Sequence, residues 1–148
     1  MGQLIIGQIT RSRSSLKKIA EGLAPEAFSV IPEGFNNNIH WQLGHILVAA
    51  ELFFLKGKET LPAEFKTFFA PGTKPADWTT AAPSVETVLA LLQEQLATIQ
   101  AIDVKTFDIK FEAPIFGNET VGEFAAMGAF HEAIHLGQIQ ALAKIVTA

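Results

Sequence analysis

Apolar residues recur every three or four positions along four long stretches of the chain, which is the spacing of one face of an α-helix. These stretches run from about Gln3 to Gly22, from about Asn38 to Lys56, from Ser84 to about Ile99 and from Thr120 to about Val146. The 148 residues suffice for one compact domain with its own core and are too few for two. The pattern therefore predicts an all-α four-helix bundle that forms one domain over residues 1–148.

Short polar side chains stand where three of these helices should begin. Asn38 and Ser84 can each accept a hydrogen bond from a free N–H group of a first helical turn. Thr120 and Glu123 have the spacing of a capping box. The helix starts are therefore predicted by local chemistry as well as by periodicity.

Two irregular stretches connect the predicted helices. The first, residues 57–83, is rich in proline and contains four aromatic residues, Phe65, Phe68, Phe69 and Trp78. A connection this long is unusual in a small domain unless it has a function, and we expect its aromatic side chains to cap the core and to wall a pocket. The second stretch, Asp103 to Asn118, contains the alternation Phe107, Ile109, Phe111, which predicts a short strand.

The composition is typical of a globular protein and excludes several kinds of chemistry. Apolar residues make up 49% of the chain and charged residues 18%. Cysteine is absent, which excludes disulfides, thiolate metal sites and a cysteine nucleophile. Any thiol chemistry would have to use a thiol brought by a substrate.

Charge and hydropathy indicate neither a nucleic-acid nor a membrane partner. The net charge is −4 and no dense basic patch is present. The basic residues Arg11, Arg13, Lys17 and Lys18 are expected to form the solvent-exposed face of the first helix. The longest apolar run, Ile46 to Leu55, is short and contains Glu51, so we expect no membrane span. The N-terminus lacks the pattern of a signal peptide, and a cytoplasmic protein is expected.

Two histidines interrupt the apolar stripe of the last helix. His131 and His135 share a face with Phe124 and Leu142, so they should point toward the core and could share one cation. His45, on the second helix, can face inward and supplies a third ligand. Buried imidazoles without partners would cost roughly 1–3 kcal/mol each, and one shared divalent ion offsets that cost. Imidazole suits zinc, nickel or iron, so the identity of the metal stays open.

The same segment contains H-E-x-x-H, the pattern of a zinc peptidase helix, at His131, Glu132 and His135. Those peptidases take their third ligand downstream, but the 13 residues after His135 include no Glu, Asp or His. The peptidase interpretation fails for this reason, whereas hydrolysis by metal-activated water remains open. Three histidine ligands leave a coordination position free for water or a substrate thiol, which is typical of a catalytic site.

Three neighbouring residues each have two interpretations. Glu132 is a candidate catalytic base, or it is an i, i+4 or interhelical partner on the flank of its helix. Gln138 orients a histidine or the substrate, or it is a buried structural glutamine. Trp41 lines an apolar substrate pocket, or it packs in the core.

Two motifs together resemble the DinB-like (YfiT-like) family of bacterial metalloproteins. The chain reads NNIHWQLGHI from Asn37 to Ile46 and HEAIHLGQI from His131 to Ile139. The resemblance extends over essentially the whole chain and implies a bundle in up-down-down-up order, with a long crossover between its second and third helices. It also implies one divalent metal held by His45, His131 and His135. His40 is additional to the motif and is expected to be structural or exposed.

Related proteins in this family include bacillithiol- and mycothiol-dependent S-transferases, a mycothiol-dependent isomerase and hydrolases, and many are homodimers. The resemblance thus implies a small-molecule substrate, a low-molecular-weight thiol as co-substrate, and a homodimer. We predict a thiol-dependent S-transferase that acts on small electrophiles. A metal-dependent hydrolase and a non-catalytic metal or small-molecule sensor are the alternatives.

Overall fold

The protein is described by a computed structural model of all 148 residues. Four long helices form a bundle, and a short one lies in the connection between the second and third of them. The helices are α1 (Gly2–Glu21), α2 (Ile39–Phe54), α3 (Glu64–Phe69), α4 (Val85–Gln100) and α5 (Val121–Val146). Helix α5 packs against α1 and α2, and α4 packs against the same two helices. The predicted all-α four-helix bundle is confirmed, with the long crossover running from α2 to α4.

The helices begin where the sequence predicts. The Asn38 side chain accepts from the Trp41 N–H at 2.8 Å, and Ser84 accepts from the Thr87 N–H at 3.2 Å. Thr120 and Glu123 form both halves of a capping box at the start of α5. These caps satisfy N–H groups that the first turn of a helix leaves free.

The crossover folds back onto the bundle through α3. Phe65, Phe68 and Phe69 are all buried and belong to the main hydrophobic core, together with residues of α1, α2, α4 and α5. The expected role of these aromatic side chains in capping the core is therefore confirmed. Close approach of α3 to α2 depends on Gly44, because a Cβ atom there would lie 2.3 Å from the ring of Phe69.

A β-hairpin connects α4 to α5. It consists of β1 (Lys110–Ile115) and β2 (Asn118–Thr120), which pair antiparallel with Lys110 opposite Thr120. The predicted strand over 107–111 was displaced from the observed one, because Phe107 lies in a 3-10 turn (Val104–Asp108) and is buried. The ring of Phe107 lies against Gly2 at the start of α1, and its Cβ atom and carbonyl oxygen lie against Gly122 at the start of α5. These tertiary contacts outweigh the local alternation.

A buried polar network crosses the middle of the bundle. Arg13 of α1 donates to Glu132 of α5 at 2.8 Å and to Gln95 of α4 at 3.0 Å. Gln95 in turn donates to the Leu47 carbonyl of α2 at 3.0 Å. The predicted exposure of Arg13 is wrong, since only 5% of this residue is exposed. Its charge is compensated inside the bundle by the Glu132 carboxylate.

None of the helices combines the length and the apolar character that a bilayer-spanning segment needs.

Candidate metal centre

Three histidines from two helices meet at one point between α2 and α5. His131 Nε2 lies 3.4 Å from His45 Nε2 and 3.2 Å from His135 Nε2. One ring nitrogen from each of the three lies within 4.8 Å of the other two, an arrangement that could hold a metal ion. The structure thus brings together the three residues that the sequence selected as ligands.

The separation of the nitrogen atoms fits the size of a divalent ion. Tetrahedral zinc with Zn–N bonds of 2.0–2.1 Å requires ligand nitrogens about 3.3 Å apart. The two close Nε2 pairs, at 3.2 and 3.4 Å, bracket that value. Three neutral imidazoles are also a donor set that zinc, nickel and iron accept.

Hydrogen bonds direct the Nε2 lone pair of His45 toward the cluster. Its Nδ1 lies 2.8 Å from the carbonyl oxygen of Phe69. A carbonyl can only accept, so Nδ1 carries the proton and Nε2 is free to bind a metal. The crossover helix α3 therefore supplies the group that fixes the tautomer of a ligand on α2.

His135 is oriented by a side-chain amide. Its Nδ1 lies 2.5 Å from Gln42 Oε1. The Gln42 amide nitrogen donates to Asn37 Oδ1 at 2.9 Å and to Gln138 Oε1 at 2.8 Å, which leaves its oxygen to face His135. His135 must then donate from Nδ1, and its Nε2 is also free. Such partners of ligand histidines set both ring orientation and basicity.

Aromatic packing restrains the rings of the cluster. The indole of Trp41 stacks on His45 with ring centroids 4.7 Å apart and planes 9° from parallel. The Trp41 Nε1–H donates to Thr73 Oγ1 at 2.9 Å. Phe53 lies beside His131 with centroids 5.6 Å apart. Trp41 is thus a buried packing partner of a ligand, the second of the two roles predicted for it.

Burial lowers the pKa of all three histidines, mainly because the surrounding protein disfavours the charged form. The effect is largest for His135, whose pKa falls to about 3 through burial and then through repulsion from His45 and His131. The imidazoles are therefore neutral near pH 7. Neutral imidazole is the form that binds metal.

Comparison with known proteins identifies the family. A sequence model described as the DinB superfamily matches residues 8–139. The chain belongs to the DinB superfamily. Among solved structures, it is similar to a conserved protein from Enterococcus faecalis, with a TM-score of 0.71 and 12% identity over 99% of this chain and 97% of the other. That likeness shows the fold alone. No curated protein matches the sequence.

Glu132 lies outside the histidine cluster of this DinB-superfamily chain. Only 2% of the residue is exposed, and its Oε1 accepts from the Arg13 Nε–H at 2.8 Å. Glu132 therefore forms an interhelical ion pair, which is one of the two roles predicted for it. The group of residues that could hold a metal does not include Glu132.

The fourth histidine is also separate from the cluster. His40 Nε2 lies 2.8 Å from the carbonyl oxygen of Pro83, and its ring packs against Phe69 and Trp78. Burial lowers its pKa as well. The expected structural role of His40 agrees with these contacts.

Two groups that orient the site are absent from the sequence predictions. Gln42 and the Phe69 carbonyl each fix the ring of one of the three histidines. A weak signal existed for Gln42, since it stands three residues before His45 on one side of α2. No local signal identifies a backbone carbonyl 24 residues from the histidine it contacts. Gln138, which is predicted to orient a histidine or the substrate, contacts Gln42 rather than a histidine.

Proposed function

We propose that this DinB-superfamily protein is a divalent-metal-dependent enzyme, a thiol-dependent S-transferase that acts on small electrophiles. It works as a cytoplasmic homodimer in which each chain folds as one domain over residues 1–148. The observation that carries the proposal is the convergence of three Nε2 atoms. Hydrogen bonds hold two of them, on His45 and His135, in the tautomer that a metal needs.

His45, His131 and His135 would hold the metal through their Nε2 atoms. A divalent ion bound there would supply Lewis acidity, which lowers the pKa of a thiol or water molecule at a free coordination position. Gln42 and the Phe69 carbonyl keep the ligand rings oriented. Burial keeps the imidazoles unprotonated near neutral pH, so protons compete weakly for the ligand nitrogens.

The position of Glu132 favours S-transfer over hydrolysis. In a peptidase helix this glutamate is the general base that serves water, but here its carboxylate is held by Arg13. A thiol, with an unperturbed pKa of about 8.5, needs much less help to ionise than water does. A nucleophilic thiol from a co-substrate also suits a chain that has no cysteine.

Metal content tests the site. We expect about one divalent ion per chain in the purified protein and little in the variants His45→Ala and His135→Ala, measured by elemental analysis. His40→Gln is the matched control and should keep the metal, because His40 contacts Pro83 rather than the cluster. Equal metal in all four proteins would disprove the metal centre.

Turnover tests the reaction. The protein would be incubated with a low-molecular-weight thiol and chlorodinitrobenzene, whose product absorbs light. In this reaction a sulfur–carbon bond forms, a carbon–chlorine bond breaks, and chloride and the thiol proton are released. We expect turnover that chelation abolishes and added metal restores. Metal-dependent ester hydrolysis without thiol transfer would favour the hydrolase, and metal binding with no turnover across a thiol and ester panel would favour the sensor.

A further inference from the structure

The outer face of α5 carries a continuous apolar stripe. Its members are Met127, Phe130, Ile134, Gly137, Ala141 and Ile145, all of which are exposed. Phe130 is 69% exposed although it is a large aromatic residue in the middle of a helix. A contiguous exposed apolar surface of this kind marks an interaction site.

The stripe is complementary to itself when two copies run antiparallel. In sequence, Phe130 and Gly137 are equally far from the point midway between Ala133 and Ile134. Met127 and Ala141 are also equally far from that point, to within half a residue. In an antiparallel pair each large side chain therefore meets a small residue of the other copy. Gly137 leaves space for this, since a Cβ atom placed there would contact nothing within 4 Å.

The charges at the ends of the stripe are complementary in the same register. Glu123 and Lys144 are equally far in sequence from the same point between Ala133 and Ile134, so each Glu123 would lie near Lys144 of the other copy. The capping box holds the Glu123 carboxylate in place, because its Oε2 accepts from the Thr120 N–H at 3.2 Å. Lys144 forms no ion pair within its own chain. The stripe between these charges spans about 30 Å of helix.

We propose that two copies of this chain pair through the α5 stripe, antiparallel, about a two-fold axis that passes near Ile134. This contact would be the interface of the homodimer that belongs to the proposed function. The pairing itself does not depend on metal binding. An isologous contact of this kind closes on itself and produces a dimer only.

The pairing also places the metal centres. His131 and His135 bracket Ala133, so their midpoint falls close to the proposed axis. A two-fold axis perpendicular to both helices puts the two histidine clusters on the same side of the helix pair, next to each other.

Sedimentation velocity tests the surface. We expect the wild-type protein to be a dimer at micromolar concentration and Phe130→Glu to be a monomer, because the substitution buries a charge opposite Gly137 and beside the axis. Leu4→Glu is the matched control: Leu4 is 73% exposed on α1, and this variant should remain a dimer. Lys144→Glu should weaken the dimer at least tenfold at low salt and less at high salt. A monomeric wild type, or a Phe130→Glu protein that is still a dimer, would overturn the proposal.

Cross-linking gives a second readout that does not depend on disrupting the contact. The chain has no cysteine, so Ile134→Cys introduces a single thiol at the proposed axis. Cα atoms facing each other across two packed helices come close enough for a disulfide. Oxidation should give a covalent dimer with Ile134→Cys and not with the control Leu4→Cys; the absence of cross-linking would contradict the register. Phe130→Glu should keep its metal, whereas a wild type that is dimeric and metal-free would refute the metal centre and leave the interface intact.

Discussion

At the scale of single residues, the cluster is fixed by groups that do not touch the metal position. The amide of Gln42 has no freedom to turn, because both of its N–H groups are occupied by the oxygens of Asn37 and Gln138. Its oxygen must face His135 Nδ1, which sets the tautomer of that ligand. Gln138 therefore acts on His135 through Gln42.

Replacing Gln42 should weaken metal binding without removing a ligand. For Gln42→Leu we expect a 10- to 100-fold loss of zinc affinity, because His135 loses the acceptor that holds its proton on Nδ1. Competition with a chromophoric chelator measures the change. Gln138→Ala should cost less, since the remaining bond to Asn37 still orients the amide. An unchanged affinity in Gln42→Leu would show that the ring needs no support.

The ion pair between Arg13 and Glu132 should act on stability rather than on the metal. Arg13→Met leaves a buried carboxylate without a partner, which should lower the free energy of unfolding by about 3–5 kcal/mol. The double variant Arg13→Met/Glu132→Leu should recover much of that loss, since both charges are gone. Urea unfolding of the single and double variants measures the coupling between the two sites.

The same pair tests the role of Glu132. Glu132→Gln should bind one metal per chain and retain turnover, because the carboxylate lies in the ion pair with Arg13. Loss of turnover with metal content unchanged would instead assign the general base to Glu132.

At the scale of elements, the site depends on how closely the crossover helix α3 approaches α2. The Phe69 carbonyl reaches His45 because the Phe69 ring lies directly on Gly44, one residue before that histidine. The long connection between α2 and α4 is therefore part of the candidate metal centre, and its aromatic residues hold the connection in place.

A methyl group at Gly44 should disturb both packing and the site. A Cβ atom there would lie 2.3–2.6 Å from atoms of the Phe69 ring, so Gly44→Ala must displace α3. We expect a loss of about 1–3 kcal/mol in the free energy of unfolding together with weaker zinc binding, since the Phe69 carbonyl moves away from His45. Gly7→Ala on α1 is the control: its new methyl contacts nothing within 4 Å, so it should gain about 0.5–1 kcal/mol. Full zinc affinity in Gly44→Ala would separate the crossover from the site.

The elements that could be predicted from sequence are those whose signals are local. Periodicity and caps located the four bundle helices, and the spacing of His131 and His135 placed two ligands on one face. The predicted exposure of Arg13 is wrong because its partner Glu132 lies 119 residues away in the sequence. The strand prediction for Phe107 is wrong because alternation does not show that this residue packs against the starts of two helices. Contacts with residues far away in the chain determine the positions of Arg13 and Phe107. Such contacts leave no local pattern in a single sequence.

At the scale of the whole molecule, the candidate metal centre connects the two halves of the chain. One of the three histidines lies on α2 and two lie on α5, and the groups that orient their rings come from α2, α3 and α5. The bundle must be folded for the three Nε2 atoms to meet. A metal ion bound by the three histidines would therefore couple binding to folding, and each histidine held neutral by burial couples folding to pH.

The stability of the metal-free protein should fall as the pH drops below about 6.5, the pKa of an unfolded histidine. All four histidines have a lowered pKa in the folded state, and that of His135 is about 3. Below pH 6.5 the unfolded chain therefore binds protons that the folded chain does not, so the free energy of unfolding decreases with decreasing pH. Each histidine that stays neutral contributes a slope of up to about 1.4 kcal/mol per pH unit. Urea unfolding with a chelator between pH 7.5 and 5.5 measures this slope before carboxylates titrate.

The variant His135→Gln isolates the largest contribution. It removes the group whose pKa is lowered most, so the slope between pH 6.5 and 5.5 should become shallower than in the wild type. The free energy of unfolding of the variant minus that of the wild type should be more positive at pH 5.5 than at pH 7.5, because only the wild type loses stability through protonation of unfolded His135. Equal slopes in the two proteins would mean that His135 takes up its proton without unfolding, which the burial of its ring between α2 and α5 opposes.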